Sequence, residues 1–234
     1  MPSYAWVWDL SGDIMFEDRV EAGRKLAKRL VQYKGKDAIV LAIPRGGVSV
    51  GYEVAKELGA ALDVIIPHKI GAPGNPELAI GAVTQDGTLM LNSQLIEYLQ
   101  VSENYIQSEA ERQRKEIERR MAKYRGNKEY PRLKGRIAIL VDDGVATGAT
   151  LRAAIASIRK NKPASLVLAV PVGPPDTIEA LRNEVDTVVC LSTPEPFFAI
   201  GQFYRSFSQT SDEEVIRLLS RAESQSKTHD VAHL

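Results

Sequence analysis

The sequence predicts an α/β protein with a doubly wound, mainly parallel β-sheet. Two observations support this fold class. Short, continuously apolar segments, typical of strands buried on both faces of a sheet, alternate along the chain with segments of helical apolar spacing. Three of the apolar segments are followed by loops rich in glycine or in charged residues, and ligands of parallel sheets bind where such loops leave the carboxyl ends of the strands.

The first half of the chain is predicted to contain three strand regions and three helices. Apolar residues at three- and four-residue spacings, among them Phe16, Val20 and Leu30, predict the first helix. In chain order the elements are a helix over 16–33, a strand over 38–43, a helix over 48–58 closed by Gly59, a strand over 62–66, a β-hairpin with strands 78–83 and 88–91 around an Asp86-Gly87 turn, and a charged helix over 103–125.

The second half continues the alternation of strands and helices. Apolar runs predict strands over 136–141, 165–170 and 187–191, and helical spacing predicts helices over 150–160, 175–183 and 212–222. Ser211 is a plausible N-cap of the last helix. We expect one domain over 1–225 and a disordered tail over 226–234.

Composition limits the classes of function. The 234 residues carry no net charge, which argues against nucleic acid as the main partner. The single cysteine, Cys190, cannot form a disulfide within the chain, and its apolar surroundings favour a buried hydrophobic residue over a nucleophile. The chain has no apolar run of about 20 residues, and residues 1–10 lack the features of a signal peptide. We therefore expect a cytoplasmic protein without membrane contact.

The most informative segment is ILVDDGVATGAT, residues 139–150. A predicted buried strand leads into a turn of small residues and then into a helix, so backbone N–H groups and the positive end of the helix can surround a phosphate. The hydroxyls of Thr147 and Thr150 add donors. The lysine of a nucleoside-triphosphate P-loop is absent. The residues expected to bind the phosphate are Gly144, Val145, Ala146, Thr147, Gly148, Ala149 and Thr150.

Asp142 and Asp143 stand directly before this turn, although carboxylates repel phosphate. A vicinal diol explains them, because carboxylates accept strong hydrogen bonds from adjacent ribose hydroxyls. A diol site beside a phosphate site indicates a ribose 5-phosphate. Two alternatives remain open at this point: the acids only cap the turn, or the protein is a phosphate-binding α/β protein of another class, such as a sugar-phosphate isomerase.

Residues 139–150 resemble the signature of type I phosphoribosyltransferases, which bind 5-phosphoribosyl 1-pyrophosphate (PRPP). The resemblance extends over about residues 16–215. It implies the type I phosphoribosyltransferase fold, with a small hood over about 192–210 and an insertion over about 78–130 that contains the hairpin and the long helix. It also implies a Mg²⁺ cofactor, a PRPP substrate and a homodimer.

The resemblance also assigns a second loop, AIPRGGVSVGYEVA, to pyrophosphate. Arg45, Gly46 and Gly47 would bind it, since glycines allow close backbone approach and a guanidinium grips phosphate oxygens with two N–H groups. Pro-Arg-Gly-Gly by itself would be an ordinary turn. The family implies a cis peptide near Arg45–Gly46 and a basic residue after the next strand, here Lys69. For His68, packing is favoured over catalysis.

A third segment, TPEPFFAIGQFY, resembles the part of the purine enzymes in which a Phe stacks on the base. Phe198 matches best and Phe197 is adjacent; the alternative is a hydrophobic plug beneath the hood. The chain departs from the hypoxanthine–guanine enzymes, because Ala146 replaces their loop Asp and LVLAVPVG lacks the Lys that reads a 6-oxo group. The base is therefore undetermined, with a purine slightly favoured by the adenine-like loop.

These observations predict a phosphoribosyltransferase of nucleotide salvage that transfers the phosphoribosyl group of PRPP to a nitrogen acceptor, with a nucleobase favoured. The catalytic residues would be Asp142, Asp143, Arg45 and Lys69. No direct protein ligand to a metal is expected, because Mg²⁺ would be held through PRPP and water. The alternative is a non-catalytic regulator that senses PRPP or a nucleotide. The arginines of the helix over 103–125 could face an anion, but a solvated charged face is favoured.

Overall fold

The computed structural model describes residues 15–231, without the side chains of residues 226–231. Residues 1–10, on which the prediction of no signal peptide depends, and residues 232–234 of the predicted tail lie outside the described residues.

Eight strands occur in the described part of the chain. They are β1 (Ala38–Ala42), β2 (Ala61–Val64), β3 (His68–Ala72), β4 (Asn75–Val83), β5 (Leu89–Leu91), β6 (Ile137–Val141), β7 (Ser165–Val172) and β8 (Thr187–Ser192).

Seven α-helices connect or flank the strands within the same residues. They are α1 (Arg19–Arg29), α2 (Gly46–Leu58), α3 (Ser93–Tyr98), α4 (Glu103–Arg125), α5 (Ala149–Lys160), α6 (Pro175–Arg182) and α7 (Asp212–Val231).

The central sheet has five parallel strands in the order β2-β1-β6-β7-β8. Alternate strand residues face opposite sides. Val40 and Ile139 pack with side chains of α1 and α2, whereas Leu41 and Leu140 pack with those of α5 and α6. Helices therefore cover both faces, and the predicted doubly wound α/β fold is confirmed.

The strand register brings the two predicted ligand loops together. Ala42, the last residue of β1, lies opposite Val141, the last residue of β6, and the N–H of Ile43 donates to the carbonyl of Val141 at 2.9 Å. The loops after β1 and β6 consequently leave the same edge of the sheet at the same level, as expected for neighbouring parallel strands.

The first helix differs from its prediction at both ends. It begins at Arg19 because the Asp18 side chain accepts a hydrogen bond from the N–H of Glu21 at 2.8 Å and caps the helix. Phe16 instead forms a parallel bridge with Tyr204. The predicted end at residue 33 includes a separate 3₁₀ turn over Val31–Tyr33. Apolar spacing alone could not distinguish a strand-like residue before the cap from a helical one.

The segment between β2 and β6 contains a second, antiparallel sheet with the order β3-β4-β5. The predicted hairpin is confirmed, but β3 and the short helix α3 were not predicted. β3 is the sequence HKIGA, in which Ile70 is the only large apolar residue, and its register with β4 shifts around Gly71. Lys69, expected just past the end of the preceding strand, therefore follows β2 but lies within β3 of the second sheet.

The predicted limits of α4 are confirmed, and its charged face is internally compensated. Arginines pair with glutamates three or four positions earlier, as in Arg112–Glu109, Arg119–Glu116 and Arg120–Glu116. Such pairing supports the interpretation of a solvated charged face.

The last helix is longer than predicted. Ser211 caps α7 by accepting from the N–H of Glu214 at 3.1 Å, as expected, but the helix continues to Val231 and not to residue 222. No helix in residues 15–231 is long and apolar enough to cross a membrane.

Candidate active site

The loop from Gly144 to α5 has the form of an anion site. Gly148 has φ = 76°, a left-handed conformation that favours glycine, and its position before α5 lets the helix begin directly at Ala149. The first N–H groups of a helix lack partners within it and point outward. The hydroxyls of Thr147 and Thr150 form no hydrogen bond with the described residues, so both can donate to a ligand.

Val145 differs from the other loop residues. Its N–H donates to the carbonyl of Val172 at 2.9 Å, and its side chain is buried in the core against α5 and α6. That amide is consequently engaged in holding the loop to β7. The carbonyl of Ala146 accepts from the Thr177 hydroxyl at 2.9 Å, which fixes the next residue of the loop as well.

The two acids leave β6 in different environments. The Asp142 side chain lines the cavity beneath the loop, and its Oδ1 accepts from the N–H of Asp143 at 2.8 Å. Burial, followed by the neighbouring carboxylate of Asp143, raises the pKa of Asp142 well above the usual value for an aspartate. Because the two carboxyl groups are neighbours, a state in which both are charged without a nearby cation is unfavourable.

Asp143 has a partner that the sequence reasoning missed. Nε of Arg19, the first residue of α1, donates to Oδ2 of Asp143 at 2.7 Å, and the two side chains are only 12% and 13% exposed. The hydroxyl of Tyr204 donates to the backbone carbonyl of Asp143 at 2.6 Å. No local signal pointed to Arg19, because it lies 124 residues from Asp143 in the sequence.

The Arg-Gly-Gly loop packs directly against the acids. A Cβ atom on Gly46 would lie 1.9 Å from Oδ2 of Asp143, and one on Gly47 would lie 2.9 Å from Oδ1 of Asp142. Only glycine permits this approach at Gly46. The structure has a cis peptide between Pro44 and Arg45, one bond before the expected position.

Arg45 itself precedes α2 and points toward α7. Its Nη1 lies 3.9 Å from Oδ1 of Asp212, a carboxylate that also accepts hydrogen bonds from Lys123 at 2.8 Å and from Tyr124 at 2.5 Å. The hydrogen bond from Lys123 is the main reason that the pKa of Asp212 is lowered to about 2. Arg45 is one-third exposed and is not among the residues that line the main cavity.

A cavity of about 880 Å³ separates the loop 144–150 from the second sheet. Asp142, Lys69 and the whole segment 144–150 line it, so the structure brings these predicted residues together. The wall opposite this loop is the more apolar one, with Leu78, Met90 and Leu91 among its residues. Lys69 pairs with Glu77 across β3 and β4 at 2.7 Å, and 44% of its side chain is exposed.

The two aromatic candidates of the hood are arranged differently from each other. Phe197 packs on Phe203 with ring centroids 5.0 Å apart, whereas Phe198 is 84% exposed. Neither lines the cavity. Ile200 does, and a Cβ on Gly144 would lie 2.6 Å from its Cγ2, so the hood packs tightly on the loop 144–150 through Ile200.

Two other residues considered in the sequence lie apart from this centre. Cys190 is buried in the core, and burial raises the pKa of its thiol to about 12. His68 is hydrogen-bonded through Nδ1 to Gln113 at 2.8 Å, and burial lowers its pKa. Both arrangements support packing over chemistry.

Fold and site together define an α/β protein whose central parallel sheet carries a glycine-containing loop of the anion-binding form at its carboxyl edge, and comparison with known proteins identifies the family. The phosphoribosyl transferase domain model matches residues 15–206, so the chain belongs to the phosphoribosyl transferase family.

Similar individual proteins include two curated relatives and one crystal structure. Two Mycobacterium tuberculosis proteins, from strains CDC 1551 and H37Rv and each named "Putative phosphoribosyl transferase", are 47% identical over 208 residues, which is 89% of this chain and 47% of theirs. The chain thus spans about half the length of these curated relatives. The crystal structure of TT1426 from Thermus thermophilus has a TM-score of 0.76 at 42% identity and covers 88% of this chain and 98% of its own.

Proposed function

We propose that the protein is a phosphoribosyltransferase that transfers the 5-phosphoribosyl group of PRPP to a nitrogen acceptor, with release of pyrophosphate. The observation that carries the proposal is the position of Asp142 and the loop 144–150 in one cavity. A carboxylate for the ribose diol stands there beside donors for the 5-phosphate. An α/β protein that binds only a phosphate has no use for the acid pair.

The proposed reaction breaks the bond between C1 of the ribose and the pyrophosphate oxygen, and forms a bond between C1 and the acceptor nitrogen. The electron pair of the broken bond leaves with pyrophosphate, and the acceptor nitrogen loses a proton. The transition state resembles an oxocarbenium ion. The protein contributes orientation and electrostatic stabilisation, with the acid pair holding the ribose and the loop holding the 5-phosphate.

Lys69 and Arg45 are the proposed partners of the leaving pyrophosphate. Lys69 lines the cavity, and Gly46 and Gly47 lie against the acid pair, which supports a pyrophosphate site between the loop after β1 and the second sheet. Arg45 would have to turn from Asp212, 3.9 Å away, to reach it. The distance is long for an ion pair, so little energy opposes that rotation.

Mg²⁺ fits this donor set as a ligand-borne ion. Asp142 lines the cavity beside the place proposed for ribose, and its carboxyl oxygens could accept hydrogen bonds from water molecules bound to a Mg²⁺ ion that PRPP carries in. When bound with PRPP, Mg²⁺ would offset the charge of the pyrophosphate. The dependence on Mg²⁺, like the homodimer, the cytoplasmic location and the absence of a nucleic-acid partner, stays a prediction.

A nucleobase is the proposed acceptor. Phe198 is the proposed stacking partner, because its exposed aromatic ring in the hood offers a surface for a planar base, although the ring lies outside the cavity lining. Ala146 and the end of β7 provide no side chain of the kind that reads a 6-oxopurine, so adenine is favoured over hypoxanthine and guanine.

A PRPP-sensing regulator is the second candidate. One observation favours it: both proposed pyrophosphate-binding cations already have carboxylate partners. Lys69 pairs with Glu77, and Arg45 contacts Asp212. A sensor would bind PRPP but release no pyrophosphate with any base.

The test is calorimetric titration of the protein with PRPP and Mg²⁺, followed by a screen of nucleobases for pyrophosphate release. The double variant Asp142→Asn, Asp143→Asn should lose PRPP binding while its circular dichroism spectrum stays native. Asp37→Asn is the control, because it makes the same chemical change at an exposed ion pair that precedes β1, at the far end of the strand.

Each outcome separates the candidates. Binding with release for one base supports the transferase and names its acceptor, whereas binding without release for every base supports the sensor. Unchanged PRPP affinity in the double variant would refute the ribose site.

A further inference from the structure

Arg19 occupies the point where three parts of the protein meet. Its backbone starts α1, its Nε donates to Asp143 after β6, and its Nη1 donates to the carbonyl of Ser208 at 2.7 Å. The guanidinium carbon also lies 3.9 Å from the ring centroid of Phe207, within the range of a cation–π contact. These contacts leave the guanidinium group little freedom.

The Asp143 carboxylate is equally restricted. The backbone at Gly46 passes so close to Oδ2 that not even a methyl group would fit there. Arg19 therefore meets Asp143 at a fixed position, through a charge-assisted hydrogen bond that is largely shielded from water. Breaking such a buried pair by removing one partner is costly, because the remaining charge stays uncompensated.

The electrostatic setting shows what the pair does for the neighbouring acid. Among the described residues, the charged and titratable groups around Asp143 are Arg19 from α1, Asp142 from the same loop and Tyr204 from the hood. Burial and the charge of Asp143 raise the pKa of Asp142, while the charge of Arg19 lowers it. Burial likewise raises the pKa of Tyr204, which keeps its hydroxyl protonated as a donor.

We propose that Arg19 is the positioning residue of the ribose site: it holds Asp143 in place, offsets the charge of the acid pair and couples the pair to the hood segment 207–208. This inference rests on the proposed function, because it assigns the acid pair to ribose. Neither Arg19 nor Asp143 lines the cavity, so Arg19 acts through Asp143 on the adjoining Asp142, which does line it.

The test compares three variants by calorimetric titration with PRPP and Mg²⁺ between about pH 5 and 9. Arg19→Gln removes the charge, and we expect PRPP affinity at neutral pH to fall at least about tenfold, as for loss of a buried charged hydrogen bond. The loss should shrink as the pH rises, because Asp142 without Arg19 needs a higher pH to ionise. Arg19→Lys keeps the charge and should recover part of the affinity.

Arg24→Gln is the matched control. It removes another arginine of α1, but one that is 65% exposed and paired with Glu53 at 3.1 Å, away from the acid pair. PRPP affinity should stay within about twofold of the unsubstituted protein, as expected for a surface ion pair.

A second readout needs no ligand. The ¹³C carboxyl resonance of Asp142, followed against pH, should titrate at a higher pH in Arg19→Gln than in the unsubstituted protein. Were Arg19→Gln not to fold, Arg19→Lys would serve in both experiments, with a smaller loss expected because only the planar fork is missing.

The two proposals fail in different ways. No binding of PRPP by the unsubstituted protein would refute the proposed function, and the carboxyl titration would then still test the electrostatic role of Arg19. PRPP binding that Arg19→Gln leaves unchanged, or an affinity loss that is the same at every pH, would overturn the positioning role.

Discussion

Removal of the Tyr204 hydroxyl tests the link between the hood and the acid loop. In Tyr204→Phe the ring keeps its packing against Phe16 and Phe207, whose centroids are 5.3 and 5.0 Å away. The 2.6 Å hydrogen bond to the carbonyl of Asp143 is lost, and the residue is only 5% exposed, so water cannot easily replace the donor. An unsatisfied buried carbonyl costs about 1–3 kcal/mol, and we expect the free energy of unfolding to fall by about 2 kcal/mol.

Urea denaturation measures this loss, and it should appear as a lower midpoint at an unchanged slope. For a protein of this size, about 2 kcal/mol corresponds to a melting temperature lower by roughly 4–8 °C. PRPP affinity should fall as well, because the carbonyl and the carboxylate that Tyr204 and Arg19 hold belong to the same residue.

The chain offers a matched control in Tyr130. Its hydroxyl is buried and has no partner in hydrogen-bonding geometry among the described residues, although Gln85 lies near it. Tyr130→Phe should therefore leave stability unchanged or raise it by up to about 1 kcal/mol, since an unsatisfied polar group is removed from the interior. Equal losses in the two variants, or a loss below about 0.5 kcal/mol in Tyr204→Phe, would refute the reasoning.

Three further perturbations have defined outcomes. Gly46→Ala should lower the free energy of unfolding by about 3 kcal/mol in urea, because its Cβ would displace Asp143 and break a buried ion pair. Asp212→Asn should lower the free energy of unfolding by about 1 kcal/mol at pH 7. Because the pKa of Asp212 is lowered in the folded protein, its carboxylate contributes fully to the free energy of unfolding above its pKa in the unfolded chain, about 4. This contribution is lost as the pH falls through about 2, so the stabilities of Asp212→Asn and the unsubstituted protein should converge in acid. Cys190 should react with iodoacetamide about 100-fold more slowly in the folded protein than in urea, as followed by mass spectrometry.

Each of these has a result that would contradict it. Gly35→Ala is the control for backbone strain, because Gly35 has φ = 71° and open space around it. This variant should lower the free energy of unfolding by only about 1 kcal/mol. A similar loss in both glycine variants would remove the steric argument for Gly46. A difference between Asp212→Asn and the unsubstituted protein that grows toward about pH 2 would reverse the sign assigned to that carboxyl. Rapid alkylation of the native thiol would mean that Cys190 is accessible.

The sequence predicted the parts of the fold that local patterns determine. Buried parallel strands are continuous apolar runs, so β1, β6 and β7 were recognisable, and the loop after β6 carried both acids and the glycine with positive φ in one segment. The strand β3 was missed because HKIGA is short, begins with polar residues and owes its conformation to pairing with β4.

The candidate site was predictable only where its residues are adjacent in sequence. Arg19 and Tyr204 reach Asp143 from distances of 124 and 61 residues along the chain. Tyr204 ends the segment TPEPFFAIGQFY, but that segment drew attention to its phenylalanines, and the roles of Arg19 and Tyr204 depend on the packing of α1 and the hood against the central sheet. Arg45 illustrates the same limit, since its contact with Asp212 is set by where α7 begins.

The bridge between Phe16 and Tyr204 has a consequence for the order of assembly during synthesis. Phe16 also donates its N–H to the carbonyl of Phe203 and accepts from the N–H of Arg205, both at 2.8 Å. A ribosome completes Phe16 long before these partners emerge, and contacts of such sequence separation form late in folding. The nascent chain can thus build β1, α2 and β6 early, while the acid pair receives its final surroundings only after residues 203–208 have been made.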